Sequence, residues 1–190
     1  MINFVDDQVG RLIQYAGGLK NCLTVFTSDH GEMLGDHNLF RKTWPYEASA
    51  RIPFLMRAPQ KWGYPKEITC ESPLAFRTSC LPSCAGIDIP ETCIGKSLLP
   101  IMQGDTDRIR KFLHGEHAGC YAYNHGNHYV TDGCYKYIWY SQMGKEHLFN
   151  LEADPHETHD ISRELDAETK MQPWRNRMIE FLKDRPEGFT

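Results

Sequence analysis

The 190 residues suffice for one domain, or for a larger piece with a small appendage, and 41% hydrophobic and 24% charged content is ordinary for a globular protein. A net charge of −4 without a Lys/Arg cluster argues against a nucleic-acid partner. No apolar run approaches the ~20 residues of a membrane span, so we expect no membrane partner either. The N-terminus lacks a basic region followed by an apolar core, so we expect no signal peptide there.

Seven cysteines, an odd number, are spread along the chain without a C-x-x-C pair. Their spacing predicts no zinc motif, and a domain of this size needs no disulfide framework. We therefore expect mostly reduced thiols, a usage that weakly favours a reducing compartment.

The first third of the chain predicts one helix and two strands. Apolar residues recur at helical spacing over 2–16, and Gly17-Gly18 supplies a stop. The short apolar run 22–27 is typical of a buried parallel strand. A polar loop over 29–45 is too long to be a mere connector. It leads through a short turn near 46–49 into a second apolar strand over 51–56.

The rest of the chain predicts a helix, a small antiparallel sheet and a final helix. Residues 72–86 predict a helix that Pro82 must kink or end. The final helix, near 168–184, places Met171, Trp174, Met178, Phe181 and Leu182 on one face. Between these helices, turn signals at Asp132-Gly133 and 143–145 separate β-rich runs and indicate an antiparallel meander, with strands over 111–116, 127–131, 135–140 and 146–151.

Residues that could bind a metal and an anion follow the first strand directly. Asp29 offers a hard oxygen and His30 a borderline nitrogen, and Gly31 permits a turn that would let both reach one ion. Mixed oxygen and nitrogen ligation suits Mn²⁺, Mg²⁺ or Zn²⁺ better than Ca²⁺. Lys42 could pair with an anionic oxyester on the same ion. Taken alone, such residues are more often surface or capping groups.

The residues of this loop resemble the second signature region of the sulfatases, in the alkaline-phosphatase-like superfamily. In that family an Asp followed by Asn or His binds the divalent metal, and a lysine 13 residues after the Asp binds the sulfate. Asp29, His30 and Lys42 match in type and spacing. The resemblance covers nearly the whole chain and is carried by 27–53, by 85–100 with Gly95-Lys96-Ser97-Leu98-Leu99-Pro100, and by 131–158 with Tyr135-Lys136-Tyr137-Ile138 and Leu148-Phe149-Asn150-Leu151.

The resemblance implies an α/β fold in two parts. Residues 1–105 would form the C-terminal portion, incomplete, of an alkaline-phosphatase-like parallel-sheet domain. Residues 106–190 would form a small antiparallel sheet with a packed terminal helix. It also implies a sulfuric ester hydrolase that acts on a small-molecule or glycan sulfate ester. Ca²⁺ would be the first metal by family, with Mn²⁺ or Mg²⁺ as alternatives, and Lys42 would be catalytic as well as sulfate-binding.

The resemblance also indicates what this sequence lacks. A sulfatase carries upstream a C/S-x-P-x-R motif whose Cys or Ser becomes the formylglycine nucleophile, and no such motif occurs here. Cys80-Leu81-Pro82-Ser83-Cys84 mimics its start, but Cys84 replaces the required Arg. Asp6-Asp7 lies in a helical pattern and is expected on an exposed helix face, not in a metal site. The chain would thus begin just before the second signature region.

Other histidines and other functions remain open at this stage. His37 lies in the signature loop and could line the substrate pocket or stabilise the loop. Of the histidines near the small sheet, 114, 117, 125 and 128, His117 is the best candidate for substrate contact. One alternative is a phosphonate or phosphate ester hydrolase of the same superfamily. Another is a non-catalytic fragment, whose exposed surfaces would favour a homo-oligomer.

Overall fold

The computed structural model describes residues 1–64, 86–88, 91–92, 95–119 and 121–185. Their contacts form two compact units. In the first unit the structure describes residues 1–28, residues 53–64 and the described residues from 86 to 107. In the second unit it describes residues 29–52, 108–119 and 121–185. In chain order the helices are α1 (Ile2–Tyr15), α2 (Glu47–Ala50), α3 (Leu99–Gln103) and α4 (Ala167–Leu182), and the strands are β1 (Thr24–Thr27), β2 (Phe54–Arg57), β3 (Leu113–His117), β4 (Asn127–Thr131), β5 (Tyr135–Tyr140) and β6 (Lys145–Asn150).

The first unit confirms the predicted helix and corrects the predicted strand. Helix α1 ends where Gly17 and Gly18 adopt positive φ, and Asp6-Asp7 lies exposed on it as expected. The strand within 22–27 was wrongly predicted to be parallel and buried. β1 pairs antiparallel with β2, and Phe26 is 55% exposed. Burial needs a covering layer, and α1, which has no buried residue, does not supply one.

The second unit is built on the predicted meander. Its four strands pair antiparallel in the order β3-β4-β5-β6, and β4 and β5 have the predicted bounds. One face of the sheet packs against α4, whose Met171, Met178 and Leu182 join the buried core as predicted. The other face, with Ile138, Tyr140 and Phe149, packs against Trp44 and Tyr46 of the loop that follows residue 29. The sheet is therefore a platform between the terminal helix and this loop.

Some predictions fall outside the described residues. These are the helix over 72–86, apart from Gly86, and the Cys80–Cys84 segment. Cys22 and Cys134, the two cysteines in the described ranges, are free thiols. Within the described part of the chain, no helix is both long enough and apolar enough to span a membrane.

Candidate functional site

The loop between Asp29 and α2 has an unusual concentration of backbone strain. Six non-glycine residues in the described part of the chain have positive φ, a conformation that costs such residues free energy. Five of the six lie in this loop, inside a stretch of ten residues, and the sixth, Glu157, contacts α2. They are Leu34, His37, Asn38, Arg41, Thr43 and Glu157. Strain of this kind persists only where surrounding contacts enforce it, so the loop has a specified shape.

The start of the loop is fixed by a close approach of two backbone segments. The N–H of Gly31 donates to the Ser49 carbonyl at 2.8 Å, and the N–H of Glu32 donates to the Ala48 carbonyl at 2.9 Å. A Cβ at position 31 would lie 2.1 Å from the Ala48 oxygen. Glycine is therefore required at position 31 because of this contact with α2. The φ of Gly31 is not positive, so the residue does not form the glycine turn that the sequence led us to expect between Asp29 and His30.

Gly31→Ala should lower the free energy of unfolding by about 1–3 kcal/mol, because the added methyl must push the loop off the Ala48 carbonyl. The matched control is Gly10→Ala, which meets open space on α1 and should be neutral or stabilising by up to ~1 kcal/mol. Urea unfolding of both variants measures the difference. Equal stability of the two variants would contradict the assigned contact.

Asp29 and His30 lie together in a geometry that suits metal binding. His30 Nδ1 is 2.6 Å from the Gly31 carbonyl, which can only accept, so Nδ1 carries the proton. In the neutral ring Nε2 then holds the lone pair, 3.4 Å from Asp29 Oδ2. Two ligand atoms on one metal ion are separated by about this distance. A carbonyl that fixes the tautomer of a histidine is also the usual support of a metal ligand.

Lys42 is exposed, and the backbone immediately after it is anchored to the sheet. The buried amide of Asn127 on β4 donates to the Thr43 carbonyl at 3.0 Å. Lys136 Nζ on β5 donates to the Pro45 carbonyl at 3.0 Å. The Thr43 hydroxyl is buried without a hydrogen-bond partner in the described residues. These anchors hold the backbone that follows Lys42 against the sheet.

Lys136 is the centre of a buried ion cluster that sequence reasoning missed. Its ammonium lies 2.9 Å from Glu157 Oε1 and 2.5 Å from Glu47 Oε1. The other Glu157 oxygen accepts from the Glu47 N–H at 2.6 Å, at the start of α2. The side chains of Lys136 and Glu157 are each 1% exposed. Burial raises the pKa of Glu157, and the Lys136 ammonium opposes that rise.

His37 lines a cavity of about 270 Å³ beside this cluster. Its ring stacks on Tyr46 with centroids 4.2 Å apart, and its Nε2 donates to the His156 carbonyl at 3.0 Å. These contacts hold the His37 ring in place, so His37 stabilises the loop. Its side chain also lines the cavity. The polar residues that line the cavity are Asp36, His37, Tyr46, Glu47, Arg51, His156 and Glu157.

His117 lies at the end of β3, opposite Asn127 in the sheet register. Its Nδ1 is buried with no hydrogen-bond partner among the described residues. Because Asn127 also anchors Thr43, the structure places His117 at the end of the sheet that supports the loop.

The signal for Lys136 was present in the sequence: a lysine inside the aromatic strand 135–140 must be paired if both faces of that strand are covered.

Comparisons with known proteins agree with this architecture. Residues 35–184 match the family model described as N-sulphoglucosamine sulphohydrolase, C-terminal. An arylsulfatase of Clostridium perfringens is 34% identical over 196 residues, covering all of this chain and 40% of that protein. The chain thus spans less than half the length of that relative.

Two solved structures share the fold. The first is BT4656 in complex with its substrate D-glucosamine-2-N,6-O-disulfate, with a TM-score of 0.77 and 22% identity over 95% of this chain and 38% of that one. The second is the phosphonate monoester hydrolase of Agrobacterium radiobacter, with a TM-score of 0.74 and 22% identity over 95% of this chain and 39% of that one. These likenesses confirm the predicted alkaline-phosphatase-like α/β fold. The family match over residues 35–184 shows that the chain belongs to the sulfatase family and corresponds to its C-terminal part.

Proposed function

We propose that the full-length protein is a metal-dependent sulfuric ester hydrolase and that this chain supplies the metal- and sulfate-binding half of its active site. The observation that carries the proposal is the Asp29–His30 pair. The Gly31 carbonyl fixes the His30 tautomer, and the Nε2 lone pair lies 3.4 Å from Asp29 Oδ2. The family match over residues 35–184 and the similarity to the Clostridium arylsulfatase over all of this chain support the class of hydrolase.

The donor set fits a divalent metal. One carboxylate and one imidazole suit Mn²⁺ or Mg²⁺ on chemical grounds, and the family resemblance favours Ca²⁺. A bound ion would polarise the ester oxygen and activate the nucleophile. Two ligands are too few for a site, so the remaining ligands would come from another part of the full-length protein.

The proposed roles of the other residues follow from their positions. Lys42, exposed beside an anchored backbone, would bind the sulfuryl oxygens and stabilise their developing charge. His37 lines the cavity next to α2 and would contact the substrate there. His117 is proposed as a second substrate contact, because it lies at the end of the sheet that supports the loop, and its buried Nδ1 has no hydrogen-bond partner within the described part of the chain. The disulfated sugar bound by BT4656 supports a small-molecule or glycan sulfate ester as the substrate class.

The nucleophile would lie outside this sequence. No C/S-x-P-x-R motif occurs in the 190 residues, and the chain spans only 40% of the Clostridium arylsulfatase. We therefore propose that this chain alone does not turn over sulfate esters and that formylglycine is supplied by a preceding segment. The alternative, a phosphonate or phosphate ester hydrolase, is supported by the fold shared with the Agrobacterium enzyme.

Substrate preference separates the two functions. We expect the full-length protein, assayed with matched aryl sulfate and aryl phosphonate esters, to show the higher kcat/KM for the sulfate by at least about tenfold, a difference of ~1.4 kcal/mol. The isolated chain should show no turnover of either ester. A reversed preference would favour the phosphonate function, and turnover by the isolated chain would overturn the proposed division of the site.

A further inference from the structure

Three potential metal ligands meet on one face of the C-terminal sheet, on residues different from the Asp29–His30 pair. His114 and Glu116 are two residues apart on β3, so their side chains project from the same face. His128 on β4 lies directly opposite Glu116 in the register. Alternation along one strand and pairing between two strands therefore bring two imidazoles and a carboxylate together.

Two of the three distances between these ligand atoms match those in the coordination sphere of a small metal ion. His114 Nε2 lies 3.2 Å from His128 Nδ1, and His128 Nδ1 lies 3.4 Å from Glu116 Oε2. One ligand atom from each residue falls within 4.8 Å of the others. Tetrahedral zinc with bonds of ~2.0–2.1 Å separates its ligand atoms by about 3.3–3.4 Å. We propose that His114, Glu116 and His128 form a Zn²⁺-binding site.

The rings of the proposed site are held by their neighbours. His114 is buried and stacks on Phe181 of α4 with centroids 5.4 Å apart, and His128 stacks on Trp139 at 5.6 Å. The side chain of Glu116 is 36% exposed, which leaves a path from solvent to the ligand atoms. Three protein ligands and a position for water give the composition of an open zinc site. Two nitrogens and one oxygen favour Zn²⁺ over Ca²⁺ or Mg²⁺.

Arg185 is the competitor for this site. Its guanidinium is hydrogen-bonded to the same Glu116 oxygen that approaches His128. A carboxylate has two oxygens and about four acceptor positions, so Glu116 can bind an ion and retain the arginine. Part of the attraction of Glu116 for Zn²⁺ is nevertheless offset by the positive charge of Arg185. Removal of that charge should therefore strengthen zinc binding.

Zinc titration of this chain tests the site. The background variant is Asp29→Asn/His30→Gln, which removes the ligand pair of the proposed hydrolase site, so this inference does not depend on the proposed function. Zn²⁺ affinity is measured by competition with a chromophoric chelator, and Co²⁺ is used to obtain an absorption spectrum of the ligand field. We expect one equivalent of Zn²⁺ and tetrahedral Co²⁺ bands.

Four single variants in that background identify the ligands. His128→Gln and Glu116→Gln should each weaken Zn²⁺ at least about 10–100-fold, the loss seen even for residues that only support a ligand. Arg185→Gln should tighten it several-fold. The matched control, His159→Gln, replaces an exposed histidine that pairs with Glu164 in the same unit and should change nothing. Circular dichroism checks that each variant is folded.

Two results would overturn the zinc site. One is the absence of a stoichiometric Zn²⁺ site in the background variant. The other is binding that His128→Gln and Glu116→Gln leave unchanged while both variants remain folded. If one of these two variants unfolds, the other and Arg185→Gln decide the outcome.

Discussion

Lys136→Met should lower the free energy of unfolding by about 3–5 kcal/mol, the cost of leaving buried charge without its partner. Lys136 Nζ neutralises Glu157 and Glu47 and donates to the Pro45 carbonyl. Methionine fills a similar volume, so the loss measures the ion cluster rather than a cavity. Chemical denaturation of this chain gives the value.

The control for this substitution is Lys145→Met at the exposed start of β6, which should change stability by no more than about 0.5 kcal/mol. The double variant Lys136→Met/Glu157→Gln should recover part of the loss, because it removes one of the two unpaired carboxylates. A loss below ~1 kcal/mol in Lys136→Met would show that the cluster does not anchor the loop.

Lys42→Ala should reduce kcat/KM of the full-length protein for a sulfate ester by about 10²–10³-fold, the effect of removing one group that stabilises transition-state charge. Its stability should change by less than about 0.5 kcal/mol, because the Lys42 side chain is exposed. Steady-state kinetics and thermal unfolding measure the two quantities on the same preparation.

Lys61→Ala is the matched control, since Lys61 is also an exposed lysine, in a short 3-10 helix of the first unit. It should leave both kinetics and stability unchanged. If Lys42→Ala turned over sulfate esters at the unsubstituted rate, Lys42 would have no part in catalysis. If it lost stability as well as activity, the kinetic effect could be assigned to misfolding.

Sequence patterns predicted the elements whose signals are local. β4 and β5 have the predicted bounds because Asp132-Gly133 marks the turn and aromatic alternation marks the strand. Helix α4 was predicted from its apolar face, and Met171 and Met178 are buried there. The prediction that β1 is a parallel, buried strand was wrong, because an apolar run does not show which strand pairs with it or which element covers it.

The candidate site divides in the same way. Asp29, His30 and Lys42 were predicted as site residues from residue types, spacing and the family resemblance, and they stay a prediction. The contacts that hold their loop join residues far apart in sequence: Lys136 reaches the Pro45 carbonyl across 91 residues, and Glu157 reaches the Glu47 N–H across 110. Contacts between residues so far apart leave no periodic pattern in the local sequence. The His114–Glu116–His128 cluster likewise depends on the register of β3 against β4.

The most direct test of the proposed metal and sulfate site is an anomalous-scattering map from crystals of the full-length protein soaked with Mn²⁺ and sulfate. We expect a manganese peak about 2.0–2.3 Å from both Asp29 Oδ and His30 Nε2. We also expect a sulfate oxygen about 2.7–3.2 Å from Lys42 Nζ. A manganese ion that contacts neither Asp29 nor His30, or a sulfate bound away from Lys42 in that map, would contradict the proposed site.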